Sequence, residues 1–388
     1  MSQSFDEITA QLRRRHRRSA NLKRMSMGAL ILAAAFLVVF IGDMLVKGLP
    51  AFQQAQIQIE VNYSEQAREI PPAAVGDDVR SLVSRGYLRL IPSRMEENPE
   101  LLGTQRMEWV IADSTVDQYL KGHNSELRPK EKRVVDRLVE QGRAELRFNT
   151  TFFTTGDSRM PEMAGIAAAA MGTVMTLIVT MAVCFPVGVM TAVYLEEFAP
   201  DNHLTQIIEI NINNLAAVPS ILFGLLGLAV YINFFGVPRS SPLVGGLTLA
   251  LMTLPVIIIA TRTALRSVPD GIRQAAFGVG CSRWQVVRDH VLPLSLPGIL
   301  TGSIIGMAQA MGETAPLIIV GMVAFIPDVS ASFTNAATVM PAQVFTWAGD
   351  PSPAFVEKTA GGILVLLAVL ITLNATAVLL RKKFERRW

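Results

Sequence analysis

The sequence lacks the common motifs for nucleotide binding and hydrolysis. No G-x-x-x-x-G-K-[ST] loop occurs, and the dipeptide Gly-Lys is absent from all 388 residues. Because that loop cradles the phosphates of ATP in P-loop proteins, this chain does not bind ATP in that way. The H-E-x-x-H, G-x-S-x-G and protein-kinase motifs are missing as well. These absences predict a chain that catalyses no reaction itself and holds no cofactor and no metal.

Apolar residues, by contrast, are abundant and gathered into long blocks. They make up 51% of the chain, and the mean hydropathy is +0.38. Blocks of about 20 apolar residues can cross a bilayer as helices, so an all-α polytopic membrane protein is predicted. The two cysteines, Cys184 in an apolar block and Cys281 in a basic segment, are expected at different depths, which predicts neither a disulfide nor a metal site. Six spans are predicted, over residues 26–47, 165–195, 206–235, 243–264, 294–325 and 360–380.

Basic residues gather on one side of these spans. The N-terminal segment 1–25 and the tail 381–388 are rich in Arg and Lys, and the loop 265–293 carries four arginines. The loops 236–242 and 326–359 hold one basic residue each. Since cytoplasmic flanks carry the excess of Lys and Arg, both termini and the loop 265–293 are predicted to be cytoplasmic.

The first span, 26–47, is either a cleaved secretory signal or a retained anchor. Its apolar run of about 20 residues is longer than a usual signal core, and no small-x-small cleavage site follows, which favours the anchor. The Arg-rich run before it is interpreted as a topology anchor beside anionic lipid headgroups rather than a nucleic-acid site.

Residues 48–160 differ in kind from the rest. They carry well-mixed charges and no run long enough to span, and the predicted topology puts them in the periplasm. The stretches 55–61 and 144–153 alternate like strands, while 73–90 and 129–141 have helical spacing. The segment is too long for a plain loop and is predicted to fold as a small α+β insert. It serves either for structure and docking or as a ligand sensor.

The loop 267–293 has the pattern of two short helical segments joined by a turn. Gly280 is suited to a positive φ at the turn, and the serine two residues later can cap the second segment. Ala275 and Ala276 are small enough to let another surface approach closely, and Trp284 is a natural interface anchor. On spacing alone, an amphipathic loop packed on its own lipid surface fits equally well.

This loop resembles the EAA loop of ABC-importer permeases, whose pattern is E-A-A, three residues, Gly, nine residues, then I-x-L-P. The match falls on Gln274, Ala275 and Ala276, then Gly280, then His290, Leu292 and Pro293. Gln274 replaces the acidic residue of the pattern and His290 the aliphatic one. In the family this loop forms coupling helices that sit in a groove of the ATPase subunit. The resemblance implies ATPase coupling through Gln274, Ala275, Ala276, Gly280, Trp284, Leu292 and Pro293.

Three further stretches narrow the family. VYLEEFAPDN (193–202), ININNLAAVPSILFGLLGLAVY (210–231) and AMGETAPLI (310–318) are similar to the PstA family, permease subunits of phosphate-specific ABC importers. The likeness covers residues 160–380 in order. It implies a type I ABC importer permease bundle of six transmembrane helices, with a permease core of five of them in 161–380. The insert looks like an extension that only some members carry.

The resemblance also implies partners and a location. These are a second, PstC-like permease, a PstB-like ATPase dimer that binds ATP and Mg, a periplasmic phosphate-binding protein and the lipid bilayer of the bacterial inner membrane. Nucleic acid is not expected.

Glu313 lies near the middle of the fifth predicted span, where a carboxylate costs about 2.5–3.5 kcal/mol and therefore needs a reason. It could pack by a hydrogen bond across the bundle, orient groups along the substrate pathway, or relay protons. Phosphate is an anion, so direct binding is disfavoured and an orienting role is preferred. The family commonly has an Arg three residues before the Gly of GET, but here Gln309 stands there. Either a second permease supplies the positive charge, or Gln309 offers a hydrogen bond.

The third predicted span, 206–235, carries the side-chain amides of Asn211, Asn213 and Asn214. They either form hydrogen bonds between helices or line the pathway. The predicted pathway residues are Glu313, Thr314, Gln309, Asn213 and Asn214. The sequence thus predicts a permease subunit of an ATP-driven importer of inorganic phosphate. Two alternatives stay open: a permease for another oxyanion, such as sulfate or molybdate, and a membrane sensor with a ligand-reading outer domain.

Overall fold

The computed structural model describes residues 2–123, 126–329 and 331–384. The labelled helices are α1 (Ser2–Gly48), α2 (Ser114–Leu120), α3 (Pro129–Glu140), α4 (Ala167–Val193), α5 (His203–Ala216), α6 (Ser220–Leu226), α7 (Pro242–Arg266), α8 (Asp270–Gly278), α9 (Leu292–Gly312), α10 (Ala315–Ile319), α11 (Met340–Ala348) and α12 (Pro353–Phe384). The strands are β1 (Gln53–Asn62), β2 (Gln105–Ile111) and β3 (Ala144–Phe148).

Shorter helical segments and wide turns complete the chain. The short segments are Leu49–Phe52, Glu65–Glu69, Pro71–Ala74, Asp77–Arg80, Arg85–Arg89, Ile91–Glu97, Pro99–Leu101, Thr150–Thr154, Pro161–Met163 and Arg283–Gln285. Three π-helical turns occupy Tyr194–Phe198, Gly227–Phe234 and Val286–Val291. Such turns are rare and occur frequently at functional sites. The first directly follows α4, and the third directly precedes α9.

Five helices of the described chain are long and apolar enough to cross a membrane. The bent pair formed by α5 and by α6 with its π-helical extension would make a sixth span, but its two parts meet at 105°. The predicted span over 206–235 is therefore not one continuous helix but a bent pair, and Pro219 removes a backbone donor at the bend. The predicted span over 294–325 is also wrong as one helix, since α9 ends at Gly312 and only the short α10 follows.

The insert is built on a three-stranded antiparallel sheet in the order β2-β1-β3. Ile57 at the centre of β1 pairs with Val110 on one side and Ala144 on the other. Alternate residues of β1 are buried against the short helices, as the alternation in 55–61 predicts. The predicted α+β character of the insert is confirmed.

Within the insert, two of the predicted elements differ from the structure. Residues 73–90 form three short helical segments rather than one helix, because Gly76 and Ser84 interrupt them and Ser84 starts the last by accepting bonds from Gly86 and Tyr87. The strand over 144–153 stops at Phe148, since Asn149 caps a helical turn by accepting from Phe152 N. The sequence analysis missed β2.

Close backbone contacts hold the bundle together. An added Cβ at Gly298, Gly302 or Gly306 of α9 would approach the side chains of Ala264, Ala260 and Thr253 of α7 to between 2.2 and 3.0 Å. These glycines lie four residues apart and so share one face of α9. Small residues at such spacing let helix backbones approach within a membrane, and we call this contact the glycine seam.

The first helix and the insert both rest on α12. Gly48 at the end of α1 lies against Ala360 and Leu364, and Gly361 lies against Ala51, with no room for a Cβ in either place. A cluster that includes Phe152 of the insert and Trp347 and Phe355 of the bundle covers the same junction. The insert is therefore packed onto the bundle. We call the end of the bundle at which the insert contacts α12 the insert end. We call the opposite end, at which α7 is followed by α8, the loop end.

Candidate functional site

Glu313 lies at a break between two helices. Its backbone is extended, with φ −75° and ψ 128°, and it forms the C-cap of α9. Gly312 before it is exposed, and Pro316 after it sits in the first turn of α10, where a missing N–H costs nothing. The last carbonyl groups of α9 consequently lack helical donors beside the Glu313 carboxylate. Among the described residues, no side chain donates a hydrogen bond to that carboxylate, which leaves the packing interpretation unsupported.

The other predicted pathway residues lie near chain breaks or on open faces. Thr314 is half-buried, while Gln309 of α9 and Asn213 and Asn214 of α5 are exposed. Gly224 of α6 approaches the backbone of Pro316 so closely that a Cβ would lie 2.8 Å from its Cα. The structure therefore brings the two broken spans together one turn beyond their breaks. The predicted residues line open surface of this single chain rather than a closed cavity.

The predicted coupling segment forms the expected bent pair of helical segments at the loop end. Gly280 has φ +86°, which a residue with a side chain rarely adopts. Ser282 caps the next segment by accepting from Gln285 N, and the Gln285 side chain accepts from Ser282 N in return. Both features agree with the sequence analysis. The result is a short, fixed corner that projects from the bundle.

This corner exposes apolar side chains. Val279 is 82% exposed and Trp284 55% exposed, and Phe277 is also exposed. Gln274 and Ala275 share this exposed surface, as does Pro293, and Leu292 is half-buried. Ala276 is different, because it is buried against Leu265, Val268, Val286 and Val291 of its own chain. The expectation that both alanines face a partner is wrong for Ala276, which anchors α8 to the bundle instead.

Arg273 ties α8 to the helices behind it. Its Nη2 lies 2.7 Å from Glu197 Oε1, and both side chains are largely buried. The same guanidinium donates to the carbonyl groups of Val268 at 2.7 Å and Leu265 at 3.0 Å. The hydrogen-bonded Glu197 carboxylate raises the pKa of Arg273 above its ordinary value. Arg273 thus satisfies one carbonyl at the end of α7 and one just beyond it while it pairs with the turn that follows α4.

A second arginine joins the neighbouring helices. Arg262 of α7 donates from Nη2 to Glu209 of α5 at 2.6 Å and from Nε to Glu196 at 3.2 Å. Glu196 also accepts from Arg266 Nε at 2.8 Å. We call the whole set the loop-end network: Glu196, Glu197, Glu209, Arg262, Arg266 and Arg273. A cavity of about 470 Å³ lies beside it and is lined in part by Glu196, Glu197, Arg266 and Arg273.

The sequence analysis missed this network. It used Arg266 and Arg273 only to assign the sides of the membrane, and it quoted Glu196 and Glu197 only as part of a family motif. A usable signal was present, because Arg262 lies in a predicted span and an intramembrane charge needs a partner for the same reason as Glu313.

A second set of buried charges lies at the insert end. Lys121 Nζ lies 2.6 Å from Asp117 Oδ2 and 2.6 Å from Glu357 Oε1 of α12, and its side chain is only 4% exposed. Gln118 donates to the other Glu357 oxygen at 2.8 Å, and Asp117 Oδ1 accepts from Ala55 N at 2.7 Å. We call these four residues the insert-end cluster: Asp117, Gln118, Lys121 and Glu357. It links the insert directly to the last helix of the bundle.

The described residues contain no group of three or more His, Cys, Asp or Glu side chains that could hold a metal ion. The two cysteines are both free, Cys184 buried and Cys281 half-buried. What the site can do is mechanical and electrostatic. It offers a fixed corner with exposed apolar side chains, a helix break beside an acidic residue, and a network of partly buried ion pairs behind the corner.

Comparison with known proteins adds family information to this geometry. Residues 184–388 match the model of the family described as "Binding-protein-dependent transport system inner membrane component". Residues 9–96 match a separate model, described as a domain of unknown function, DUF3333. The first match spans more than half of the chain and contains the whole loop end.

Two relatives carry the names of permease proteins. The chain is 31% identical over 223 residues to the phosphate transport system permease protein PstA 1 of Mycobacterium tuberculosis (strain CDC 1551 / Oshkosh), covering 58% of this chain and 72% of that protein. It is 34% identical over 182 residues to the probable ABC transporter permease protein YqgI of Bacillus subtilis (strain 168), covering 47% and 60%. The solved structure of the inward-facing methionine transporter MetNI superimposes with a TM-score of 0.45 at 18% identity, over 55% of this chain and 95% of that one.

The chain belongs to the family of binding-protein-dependent transport system inner membrane components. Within that family it is a permease of the PstA type. The predicted fold class, an all-α polytopic ABC permease bundle with a small α+β insert, is confirmed.

Proposed function

We propose that this chain is the transmembrane permease subunit of an ATP-driven importer of inorganic phosphate. The exposed apolar corner around Gly280 carries the proposal, because it presents a docking surface that is fixed to the bundle by Arg273 and Ala276. The relatives whose names specify phosphate transport supply the substrate. The chain itself has no catalytic role, and partner ATPase subunits would bind ATP and Mg.

The proposed orientation puts the loop end and both termini in the cytoplasm of a bacterium. The excess of Lys and Arg in the segments 1–25 and 265–293 supports it. The insert then lies in the periplasm, on the side from which a phosphate-binding protein would deliver substrate. An ATPase dimer would dock on the exposed part of 267–293, and a second, similar permease would complete the pathway.

In the proposed cycle, ATP binding and hydrolysis move the ATPase subunits, and the docked corner transfers that motion to α4, α7 and α9. The breaks at 216–220 and 312–315 are where the spans can re-orient, because their backbone is not held by a continuous helical ladder. Glu313 and Thr314 lie at one break and Asn213 and Asn214 just before the other. We assign these four residues and Gln309 to the pathway surface that the second permease covers.

Glu313 orients the pathway rather than binding the substrate directly, because a carboxylate and a phosphate repel each other. The position at which the family commonly has an Arg holds the exposed Gln309. The second permease would therefore contribute the positive charge. Gln309 in place of that Arg is also the observation that favours a second candidate function, a permease for another oxyanion such as sulfate or molybdate. The sensor alternative gains no support from a family of transport components.

The test is uptake of labelled phosphate in cells that lack the gene and carry it on a plasmid. Wild type should restore uptake, and excess sulfate or molybdate should not compete. Gly280→Trp should abolish uptake, because it adds a large side chain at φ +86° on the docking corner. Gly103→Trp is the matched control, since Gly103 has φ +78° in an open turn of the insert, and it should retain uptake.

Glu313→Gln in the same cells tests the pathway assignment, and we expect it to lower uptake at least fivefold with normal protein levels. Loss of the gene without loss of phosphate uptake, or competition by another oxyanion, would overturn the phosphate assignment. Equal uptake by Gly280→Trp and Gly103→Trp would overturn the docking assignment.

A further inference from the structure

Two neighbouring glutamates at the end of α4 hold two different elements. Glu197 pairs with Arg273 of α8, and Glu196 pairs with Arg262 and Arg266 of α7. Both glutamates belong to the π-helical turn Tyr194–Phe198. Adjacent residues in one turn cannot move independently, so a displacement of α8 that pulls on Glu197 is passed to Glu196 and from there to α7.

Arg273 is more firmly held than a surface ion pair. Besides Glu197 it donates to two carbonyl groups, of Leu265 and Val268, which lie at the end of α7 and just beyond it. A planar guanidinium with several fixed donors transmits direction as well as charge, which a lysine does not. The contact therefore links α8, α7 and the end of α4 at one point.

The network continues to the helix that precedes the bend. Arg262 donates to Glu209 of α5 at 2.6 Å, and Asn213 follows Glu209 at the spacing of one helical turn. No other ion pair among the described residues joins α5 to the bundle. The partly buried ion pairs therefore form a continuous series from α8, through the α4 turn and α7, to α5.

There is room for this series to change. The cavity of about 470 Å³ lies between α8 and the α4 turn and is lined by Glu196, Glu197, Asp270, Arg273, Phe277 and Arg283, among others. Arg266 at its edge is 62% exposed. Coupling between sites requires elements with two arrangements, and an open, polar space beside a wide turn permits a second one.

We propose that Arg273 is a positioning residue that carries the movement of the docking corner to α5, through Glu197 and Glu196, Arg262 and Glu209. The inference rests on the proposed function, which it deepens by naming the connection between ATPase docking and the pathway. Neither Arg273 nor Glu209 touches substrate in this arrangement. Each acts by setting where the next element lies.

The experiment uses the complete transporter, with its second permease, ATPase subunits and binding protein, reconstituted in proteoliposomes. Phosphate uptake and ATP hydrolysis are measured together, and their ratio is compared between variants. Arg273→Gln and Glu209→Gln, at the two ends of the series, should each lower uptake per ATP at least tenfold. Arg273→Lys should fall between wild type and Arg273→Gln, because it keeps the charge but not the fork of donors.

The double variant Arg273→Gln/Glu209→Gln should be no worse than either single variant, because interrupting one series twice adds little. Arg94→Gln is the matched control, since Arg94 and Glu108 form a partly buried pair within the insert, 3.3 Å apart, and its uptake per ATP should equal that of wild type. Multiplied losses in the double variant, or an unchanged ratio in the single variants, would overturn the proposal.

A second measurement does not depend on the substrate. Hydrogen exchange of residues 203–216 is followed in the same complex with and without ATP. ATP should change the exchange of this segment in wild type and in Arg94→Gln but not in Arg273→Gln, and an equal response in Arg273→Gln would contradict the inference. Wild type that hydrolyses ATP and shows this response but carries no phosphate would instead contradict the proposed function alone.

Discussion

The two groups of buried charges at opposite ends of the bundle make a useful comparison. At the insert end, Lys121 has two carboxylate partners at 2.6 Å, and the side chains of Lys121 and Glu357 are almost completely buried. At the loop end, six residues share partners over a longer path, and exposure rises to 62% at Arg266. The first arrangement joins two rigid parts at one point. The second passes from helix to helix beside an open cavity.

The difference shows that buried charges can hold two parts of the molecule in place, whereas a partly exposed network of charges can connect parts that move. Separating a buried pair leaves each charge buried without its partner, which is costly, so the two parts that the pair joins are held together. A partly exposed network can exchange partners or take up water at lower cost. The insert end therefore holds the insert and α12 rigidly together, whereas the helices at the loop end can adopt more than one arrangement.

The largest effect should follow from Lys121→Met, which leaves Asp117 and Glu357 buried without the cation that contacts both of them. We expect a loss of about 3–5 kcal/mol in the free energy of unfolding, measured by thermal or denaturant unfolding in detergent. Lys47→Met is the control, because Lys47 pairs with Asp43 on an exposed face of α1 and should change stability by about 1 kcal/mol or less. Similar losses in the two variants would mean that burial does not make the insert-end ion pairs more important for stability than an exposed pair.

A smaller effect is expected from Arg262→Met at the loop end. Glu209 loses its partner, but Glu196 keeps Arg266, so the loss of stability should be about 1–3 kcal/mol. Arg266→Met should cost about 1 kcal/mol or less, since Arg266 is largely exposed. Unfolding of the purified protein under the same conditions checks both values. An Arg262 variant that loses more stability than the Lys121 variant would reverse the comparison.

The smallest effect concerns Glu162, which lies beside the insert-end cluster and accepts from Ser84 Oγ at 2.7 Å. Burial raises the pKa of the Glu162 carboxyl above its ordinary value. The folded state therefore binds the Glu162 proton more tightly than the unfolded state. As pH rises above the ordinary pKa of a glutamate, 4.5, this contribution to the stability of wild type is lost. Glu162→Gln lacks this charge, so its stability relative to wild type should increase from pH 4.5 to pH 7.5.

Thermal unfolding at a series of pH values measures that difference directly. Lys358 and Asp117 also face this region, so the comparison is made between the two proteins at each pH rather than along one curve. A difference that is independent of pH would mean that Glu162 keeps its ordinary titration in the folded chain.

Much of the architecture could be predicted because it depends on the properties of residues that are neighbours in the sequence. The apolar blocks predicted four of the six spans as single helices, the alternation in 55–61 predicted β1, and Gly280 predicted the turn. The family followed from short motifs such as GETAP. These features could be predicted because each depends on a few neighbours in sequence.

The remaining features depend on distant partners. The close approach of Gly224 in α6 to Pro316 in α10 joins residues 92 positions apart, which hydropathy does not report. Ala276 faces inward because α8 leans on residues up to 15 positions away in sequence, such as Val291. The ion pairs of Arg262 reach residues 53 and 66 positions distant, so only the cost of a charge within a span could have suggested them.

The glycine seam between α7 and α9 also restricts how the gene can vary. Gly298 and Gly302 each face an alanine so closely that even the smallest change, to alanine, would force the helices apart. Every substitution of Gly298 or Gly302 adds at least a Cβ, so no substitution at either position leaves the packing of α7 and α9 unchanged. Gly28 and Gly42 of α1 have no other atom within 4 Å of the added carbon. Gly28 and Gly42 can therefore accept a side chain without displacing another part of this chain, whereas Gly298 and Gly302 cannot, although all four are helical glycines.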